Sequence, residues 1–431
     1  MTTRTPPRRG ATLWALAAVV AVTLAGCAGE ASEEPTPAPT VTETFTQSPA
    51  AVDKKAPPAP AQTWPLTGVP GEVADRPAVA VKIENSPESR PQTGLEDADI
   101  VWEEIVEGGI ARYIAVWHSV MPSEIGPIRS IRPMDGNIVG PLHGLMVCSG
   151  GKAPFIATAR DAELQVLTMD GGDRGFYRVN TRPAPHNVYA DPADFLAQAD
   201  TKHSASPVPQ FAYAPSMSVA SAATAGADAP TIAVAMSGGA HPAWTWDPTA
   251  EVWERSEGEN PAEAASGTRL TAANVVAMKV DVRTAQGRDP AGNSIPESIV
   301  IGEGTGFVAS AGKILHIQWS KESATAVAAI TDDDGHPVTL APGPTWVELV
   351  PSNGSWETVG GTEPSPSTST SGTAGATGPG ASASAGVSAS AETSASAGAR
   401  GSGVSPGASP NRSARTSASP TAATSSRPTS R

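Results

Sequence analysis

Val79-Ala80-Val81-Lys82-Ile83, running into Glu84-Asn85, opens the stretch that decides the fold, and that stretch ends at Pro133. Val79 to Ile83 reads as a short alternating strand, and Ser86-Pro87-Glu88-Ser89-Arg90-Pro91 reads as the turn after it. Next come Asp99-Ile100-Val101-Trp102-Glu103-Glu104-Ile105-Val106-Glu107-Gly108-Gly109, Arg112 on another apolar run, and Ile125-Gly126-Pro127-Ile128-Arg129-Ser130-Ile131-Arg132-Pro133. Ile100 to Val106 and Arg112 to Val120 are rich in Val, Ile and Trp without a helical period, so further strands are expected there. Charges sit inside these apolar runs instead of being confined to polar linkers. A charge placed there is buried or at a cleft, where it needs a partner.

Downstream, Leu145 to Cys148, the turn Ser149-Gly150-Gly151-Lys152 and a helical-looking Phe155 to Glu163 predict a strand–turn–helix unit. Asp191-Pro192 predicts another helix, with Asp191 as its N-cap. Residues 202–230, rich in Ala, Ser and Pro, read as a linker anchored by Phe211 and Tyr213. Beyond it, Trp244 to Trp253 predicts a hairpin. Asn274 to Val282, Ser298 to Ile301, Ile314 to Trp319, Val338 to Leu340 and Thr345 to Val350 predict further strands. Thr331-Asp332-Asp333-Asp334-Gly335 reads as a hairpin turn, since the later glutamate of a calcium loop is missing. The expected fold class is α+β. A mixed α/β first domain with a central sheet (64–201) precedes a smaller β-rich second domain (231–356).

Outside these domains the sequence predicts other things. Arg4, Arg8 and Arg9 precede an apolar run from Ala11 to Leu24, shorter than the roughly 20 residues of a membrane-spanning helix. Leu24-Ala25-Gly26-Cys27 fits a bacterial lipobox, so residues 1–27 read as a lipoprotein signal peptide with Cys27 as the lipidated residue. Residues 28–63 read as a disordered tether. The Ser/Ala/Gly/Thr/Pro-rich residues 357–431 read as a disordered tail. The other cysteine, Cys148, follows an apolar triplet and reads as a small buried hydrophobe. The expected location is the extracytoplasmic face of a bacterial cell membrane.

Several of these motifs resemble those of a known family, the YerB-like lipoproteins, a two-domain family of unknown function. The resemblance rests on Glu84-Asn85, Arg90-Pro91-Gln92-Thr93-Gly94-Leu95, Ala98-Asp99-Ile100-Val101 with Glu103, and Glu107-Gly108-Gly109 with Arg112. It continues through Ile125 to Pro133 and Ala184-Pro185-His186-Asn187 with Tyr189, and more weakly at Asn274-Val275-Val276, Trp319 and Thr345-Trp346. The family's usual Asp-Asn pair is Glu84-Asn85 here, and Ala111 stands where a threonine is common. The resemblance implies a surface lipoprotein of two domains and carries no established reaction.

The candidate ligand-binding residues are Glu84, Asn85, Arg90, Asp99, Glu103, Glu107, Arg112, Arg129, Arg132, His186 and Asn187. Arginine offers a planar fork of donors that grips phosphate or carboxylate through two parallel hydrogen bonds. The carboxylates serve either to neutralise the arginines or to hold a divalent ion. The Ser149 to Lys152 turn at a helix start adds backbone donors suited to an anion. His186 suits a general base or a hydrogen-bond donor. Three readings follow: a buried ion network that fixes strand order; a pocket for an anionic wall glycan, lipid phosphate or peptidoglycan fragment; and a metal-assisted transferase or hydrolase acting on a phosphorylated glycopolymer. All but His186 and Asn187 come from the opening stretch, and the expectation is that most converge on one cleft.

No nucleotide fingerprint, nucleophile elbow or zinc-binding histidine pair is present, so no cofactor or metal is assigned and catalytic residues remain unassigned. A formal net charge of −14 argues against nucleic acid as a partner. The expected partners are the membrane, through lipid on Cys27, and an anionic wall glycan or envelope protein.

Overall fold

The computed structural model describes residues 62–289 and 291–360. The lipobox, most of the expected tether and the tail beyond residue 360 lie outside the described residues. Among the described residues no helix is long and apolar enough to cross a membrane.

The opening stretch forms the middle of a twelve-stranded sheet. β1 (Val79–Glu84), β2 (Ile100–Ile105) and β3 (Ala111–Trp117) pair antiparallel in the order β2-β3-β1. β4 (Leu145–Cys148) adds parallel to β1, and β5 (Gln165–Thr168) adds parallel to β4. Every residue of β1, β2 and β3 is buried, so these strands carry apolar side chains on both faces. One face takes α1 (Asp135–Val139) and α2 (Ala153–Asp161), whose Ile138, Phe155 and Ala159 pack with Ala80, Ile114 and Met146. Pro154 stands in the first turn of α2, where its missing N–H costs no helical bond.

The other edge of β2 is covered by the strand Thr345–Pro351 from the far end of the described chain. That strand runs parallel to β2 on one side and to Asn274–Arg288 on the other. All seven of its residues are buried, as expected of a parallel strand inside a sheet. The two halves divided at 202–230 therefore share one hydrogen-bonded sheet. An open β2 edge would be a row of unpaired donors and acceptors, and the second half closes it.

A six-stranded sheet packs on the opposite face of the main one. Its core is the hairpin Pro242–Asp247 and Val252–Glu257, joined by Thr231–Ala235 and Ser355–Val359. Trp244 and Trp253 face inward, and Trp346 meets Trp244 at 5.3 Å and Tyr113 at 5.2 Å between ring centroids. In the linker Phe211 stacks on Trp102, and the Tyr213 hydroxyl donates to the Leu66 carbonyl.

The molecule is mostly sheet with few helices. Asp191 caps the helix Pro192–Leu196, accepting from Ala193 N at 2.9 Å. The Thr331–Gly335 segment is a turn, with Gly335 N donating to Asp332 O at 3.0 Å and Thr331 bridged to Pro337. Near the expected Ser298–Ile301 strand the boundaries differ. One strand spans Ser294–Ile299 and a further one spans Gly302–Ser310. Glycines at 302, 304 and 306 leave the second of these without side chains to show an alternation. The strand Ser355–Val359 runs past the expected start of the tail at 357. Burial pushes the Cys148 thiol up to about 12, as suits a buried hydrophobe and not a reactive thiolate.

Candidate functional site

The Ile125–Pro133 segment is extended and threaded through the fold by backbone bonds on both sides. Ile125 exchanges hydrogen bonds with Ala190 at 2.9 and 3.0 Å, and Ile128 N reaches Val188 O at 2.7 Å. On its other side Glu84 N donates to Pro127 O and Arg129 N to Lys82 O. β4 pairs β1 only along Val79–Val81, and residues 127–129 take its place beyond that. Gly126 has no room for a side chain, since a Cβ there would lie 2.6 Å from the Tyr189 ring. Gly151 is fixed likewise, with a Cβ 2.5 Å from Ile131 Cγ2. These contacts hold Arg129, Ser130 and Arg132 beside the start of α2.

Register then sets a row of charges on the helix-bearing face of the sheet. Arg112 stands opposite Glu84 on one neighbouring strand and opposite Glu104 on the other. Neither carboxylate reaches it. Glu84 turns toward Arg129, with Oε1 3.2 Å from Nε, and toward His186, with Oε2 3.0 Å from Nδ1. Glu104 takes the ammonium of Lys82, which also donates to Asp135 Oδ1 at 3.1 Å. Lys82, Glu104 and Asp135 are all fully buried. Glu107, at the turn into β3, accepts from Arg132 Nε and Nη2 at 2.9 and 2.7 Å through Oε2 alone. Asp135 Oδ2 accepts from the Arg132 N–H at 2.9 Å and so ties the loop to the Lys82 cluster.

Arg112 is left over. It is 6 % exposed, yet its Nε and Nη1 have no hydrogen-bond partner among the described residues. Burial, with Arg132 and Arg129 close by, pulls its guanidinium down to about 10. Burial and the neighbouring Asp135 push the Glu104 carboxyl up to about 8, against the opposing pull of Lys82. Lys82, Arg129 and Arg132 each meet a carboxylate within ion-pair distance, whereas Arg112 meets none among the described residues. A buried charge left without a partner costs several kcal/mol.

Beside this row lies a cleft of about 480 Å³ lined by Glu107, Ser130, Arg132, Gly151, Lys152 and Phe155. Its far wall is Arg288, Asp289 and Ile295, from the second half of the chain. The N–H groups of Gly151, Lys152 and Ala153 donate to no acceptor among the described residues, and they sit where α2 begins. Free N–H groups at a helix start are suited to an anion.

The opposite face of the sheet carries a second charge cluster. Glu103 and Glu348 are paired across adjacent strands, both fully buried. Arg255 enters from the second sheet and donates to Glu103 at 2.6 Å, Glu348 at 3.1 Å and Glu257 at 2.9 Å. Its guanidinium lies 4.4 Å from the Trp346 ring centroid. Burial pushes Glu103 well above the usual carboxylate range, with Arg255 pulling down and Glu348 pushing up. Asn85 and Arg90 belong to this side. Arg90 donates to Asn85 Oδ1 at 2.8 Å and to Glu257 at 3.0 Å beside a cavity of about 270 Å³.

The expected single cleft therefore divides. Glu84, Glu107, Arg112, Arg129, Arg132 and His186 share one side of the sheet. Asn85, Arg90 and Glu103 belong to the Arg255 cluster on the other, because consecutive strand residues point to opposite faces. Asp99 lies at the far end of β2, accepting from His118 N at 2.6 Å and Ser119 N at 2.8 Å, where it closes the end of β3. Asn187 accepts from Arg178 at 2.7 Å and holds the His186 loop, donating to Val179 O. Lys82, Glu104, Asp135, Arg255, Glu257 and Glu348 were not singled out from sequence. A signal was present for some of them: Lys82, Glu104 and Glu348 are charges inside apolar runs. Among the described residues no group of three or more His, Cys, Asp or Glu side chains is placed to hold a metal ion.

Comparison with known proteins decides the family. Residues 66–205 match the model of the DUF3048 N-terminal domain, a protein of unknown function, and residues 232–347 match the DUF3048 C-terminal domain. The two matches together span more than half of the chain. The chain belongs to the DUF3048 family. The DUF3048 halves defined by these matches are the ones joined through β2 and Thr345–Pro351. "Putative lipoprotein YerB" of Bacillus subtilis (strain 168) is 36% identical over 141 residues, which is 31% of this chain and 41% of that protein. The alignment thus covers less than half of the relative's length. The crystal structure of Bacillus subtilis YerB matches with a TM-score of 0.59 at 23% identity, covering 69% of this chain and 99% of that one. At that identity the structural match speaks for the fold alone.

Proposed function

We propose that this DUF3048 protein is a lipid-anchored component of the cell envelope that binds an oxyanion of an envelope molecule at the arginine cluster around Arg112. The observation that carries the reading is Arg112, buried without a partner beside Arg129 and Arg132. A fold that maintains an unmatched buried cation pays for it in stability, and a ligand that brings the missing negative charge recovers the loss. Glu84, Glu107 and Asp135 hold the flanking arginines and lysine in place, so the free donors are fixed before the anion arrives. His186 Nδ1 meets the far carboxylate oxygen of Glu84 at 3.0 Å and holds that side chain from the other end.

Calorimetric titration of the full-length protein in detergent with inorganic phosphate tests the reading. Charge-assisted hydrogen bonds of about 1.5–3 kcal/mol predict that Arg112→Met weakens phosphate roughly 10- to 150-fold. Equal affinities in the two proteins would remove Arg112 from the site.

The anchor rests on the lipobox and on the lipoprotein name carried by the YerB relative. Cys27→Ser should leave the protein unprocessed or release it from membranes. A processed Cys27→Ser protein that still fractionates with membrane would contradict the lipid anchor.

A further inference from the structure

The cavity of about 270 Å³ beside Arg90 lies between the two DUF3048 halves, on the Arg255 side of the main sheet. Asn85, Gln92 and Tyr113 wall it from the first half, and residues 260–263 wall it from the second. Backbone bonds fix both walls. Ala265 N donates to Gln92 O at 2.7 Å, while Ala262 N donates to Arg255 O at 3.1 Å and Leu270 N to Ala262 O at 2.9 Å. Asn85 is fully used: Oδ1 accepts from Arg90 Nε at 2.8 Å and Gln92 Nε2 at 3.1 Å, and Nδ2 donates to Glu257 Oε1 at 3.2 Å. Gln92 Nε2 also donates to the Glu84 carbonyl at 3.0 Å. Two acceptors on Nε2 decide which way this amide faces and turn Oε1 to the other side. Gln92 is 3 % exposed, and its Oε1 has no donor among the described residues. This oxygen is not sealed in as the free oxygens of Glu103 and Glu107 are, and the space it opens on is the cavity that Gln92 lines. A buried acceptor held in one orientation without a donor is completed by a donor from a ligand.

Arg90 supplies a donor to the same space. Its Nε and Nη2 are taken by Asn85 and Glu257, whereas Nη1 donates to nothing among the described residues and the side chain is 31 % exposed. The charges are already answered. Burial pushes Glu257 up, but Arg255 and Arg90 outweigh it and hold the carboxyl below its ordinary range. Glu263 places a second carboxylate on the exposed rim. A free anion entering here meets two carboxylates, and a free cation meets a guanidinium, so the cavity suits a neutral polar ligand. Acceptors are in excess among the described residues: Gln92 Oε1, Asn260 Oδ1 and both Glu263 oxygens lack donors, against the free N–H groups of Arg90 and Asn260. A peptide unit carries one donor for each acceptor and leaves that excess unmet. A hydroxyl donates and accepts at once, and a sugar presents one at most of its ring carbons. Pro91, Pro261 and Leu270 form an apolar wall for the C–H face of a ring. The volume, just under the roughly 300–1,000 Å³ of drug-sized sites, takes one ring and not a chain.

We infer that this cavity binds a single neutral sugar residue. One hydroxyl donates to Gln92 Oε1, a neighbouring one accepts from Arg90 Nη1, and the outward hydroxyls meet Asn260 and Glu263. Nothing in this site depends on the oxyanion at Arg112, which stands across the sheet.

Calorimetric titration of the full-length protein, in a detergent without a sugar headgroup, tests the site with three probes: D-glucose, N-acetyl-D-glucosamine and, as a peptide unit, N-acetylglycinamide. At least one of the sugars should bind saturably at millimolar concentration, and the amide should not. Gln92→Leu should weaken that sugar roughly 2- to 12-fold, the worth of one neutral hydrogen bond. Gln92 also braces Asn85, so a melting curve accompanies this variant, and an early melt leaves the decision to the rim. There the double variant Asn260→Ala with Glu263→Ala removes only exposed side chains and should weaken the sugar by at least as much. Binding of neither sugar would overturn the inference, as would sugar binding that the rim variant leaves unchanged. An amide that binds as tightly as the sugar would make a peptide the occupant and overturn it too.

Discussion

Arg255→Met should destabilise the protein by about 3–5 kcal/mol, because it strands buried carboxylates that now share one guanidinium. Glu103 and Glu348 are fully buried neighbours in adjacent strands, and Arg255 is the cation that reaches both. Methionine keeps much of the volume against Trp346 and Trp244, so lost charge dominates over lost packing. The pH dependence has a definite sign. Burial already holds the Glu103 carboxyl above its ordinary range, and removing Arg255 raises it further. A carboxyl raised in the fold contributes stability that is fully present below its unfolded value of about 4.3 and is lost as pH rises through the folded value. The deficit of the variant should therefore shrink as pH falls toward about 4. Urea melts at pH 5 and pH 8 check both statements. Combining Arg255→Met with Glu103→Leu and Glu348→Leu should recover most of the loss, since apolar replacement of a whole buried ion network is often neutral. A single variant within about 1 kcal/mol of the parent would mean that the network is not what joins the two sheets.

Lys82→Met should cost a similar amount, about 3–5 kcal/mol at neutral pH, through the loss of the partner that Asp135 and Glu104 share. Asp135 is then left with only the Arg132 N–H among the described residues. Stability carried by the Glu104 proton is complete below about 4.3 and is lost as pH rises through about 8. Lys82 is the group that pulls Glu104 down, and without it ionising Glu104 costs more. The deficit should grow between pH 6 and pH 9, opposite to the behaviour expected of a surface lysine. A deficit that is flat or falls over that range would place the compensating charge elsewhere.

Much of the architecture was legible because strand period and turn chemistry are local. Val79–Glu84, Ile100–Ile105 and Ala111–Trp117 announce themselves through β-branched and aromatic residues, and Asp191-Pro192 through its cap. The union of the two halves was not legible. Thr345–Pro351 reads as a strand from its own residues, but nothing local says that it lies beside β2, more than two hundred positions earlier. The same limit divided the candidate site. Glu103 and Glu104 are adjacent in sequence and carry the same charge, yet one faces Arg255 and the other Lys82. Alternation could separate them in principle, but the partners come from distant segments whose pairing only the folded sheet supplies. Arg112, Arg129 and Arg132 were visible as arginines in apolar or proline-bounded runs. That Arg112 alone lacks a partner depends on where Glu84 and Glu104 turn, which no sequence pattern encodes.

The central claim is that Arg112 is kept unpaired for an anion, and thermal melting of Arg112→Met with and without phosphate tests it most directly. If the guanidinium awaits a ligand, removing it relieves an unmatched buried charge. The variant should then melt at or above the parent temperature in phosphate-free buffer. Millimolar phosphate should raise the melting temperature of the parent and leave that of the variant unchanged. If Arg112 is instead a structural partner of Glu84 or Glu104, the variant should lose about 3–5 kcal/mol in either buffer, and phosphate should shift both proteins alike or neither. That second pattern would contradict the account.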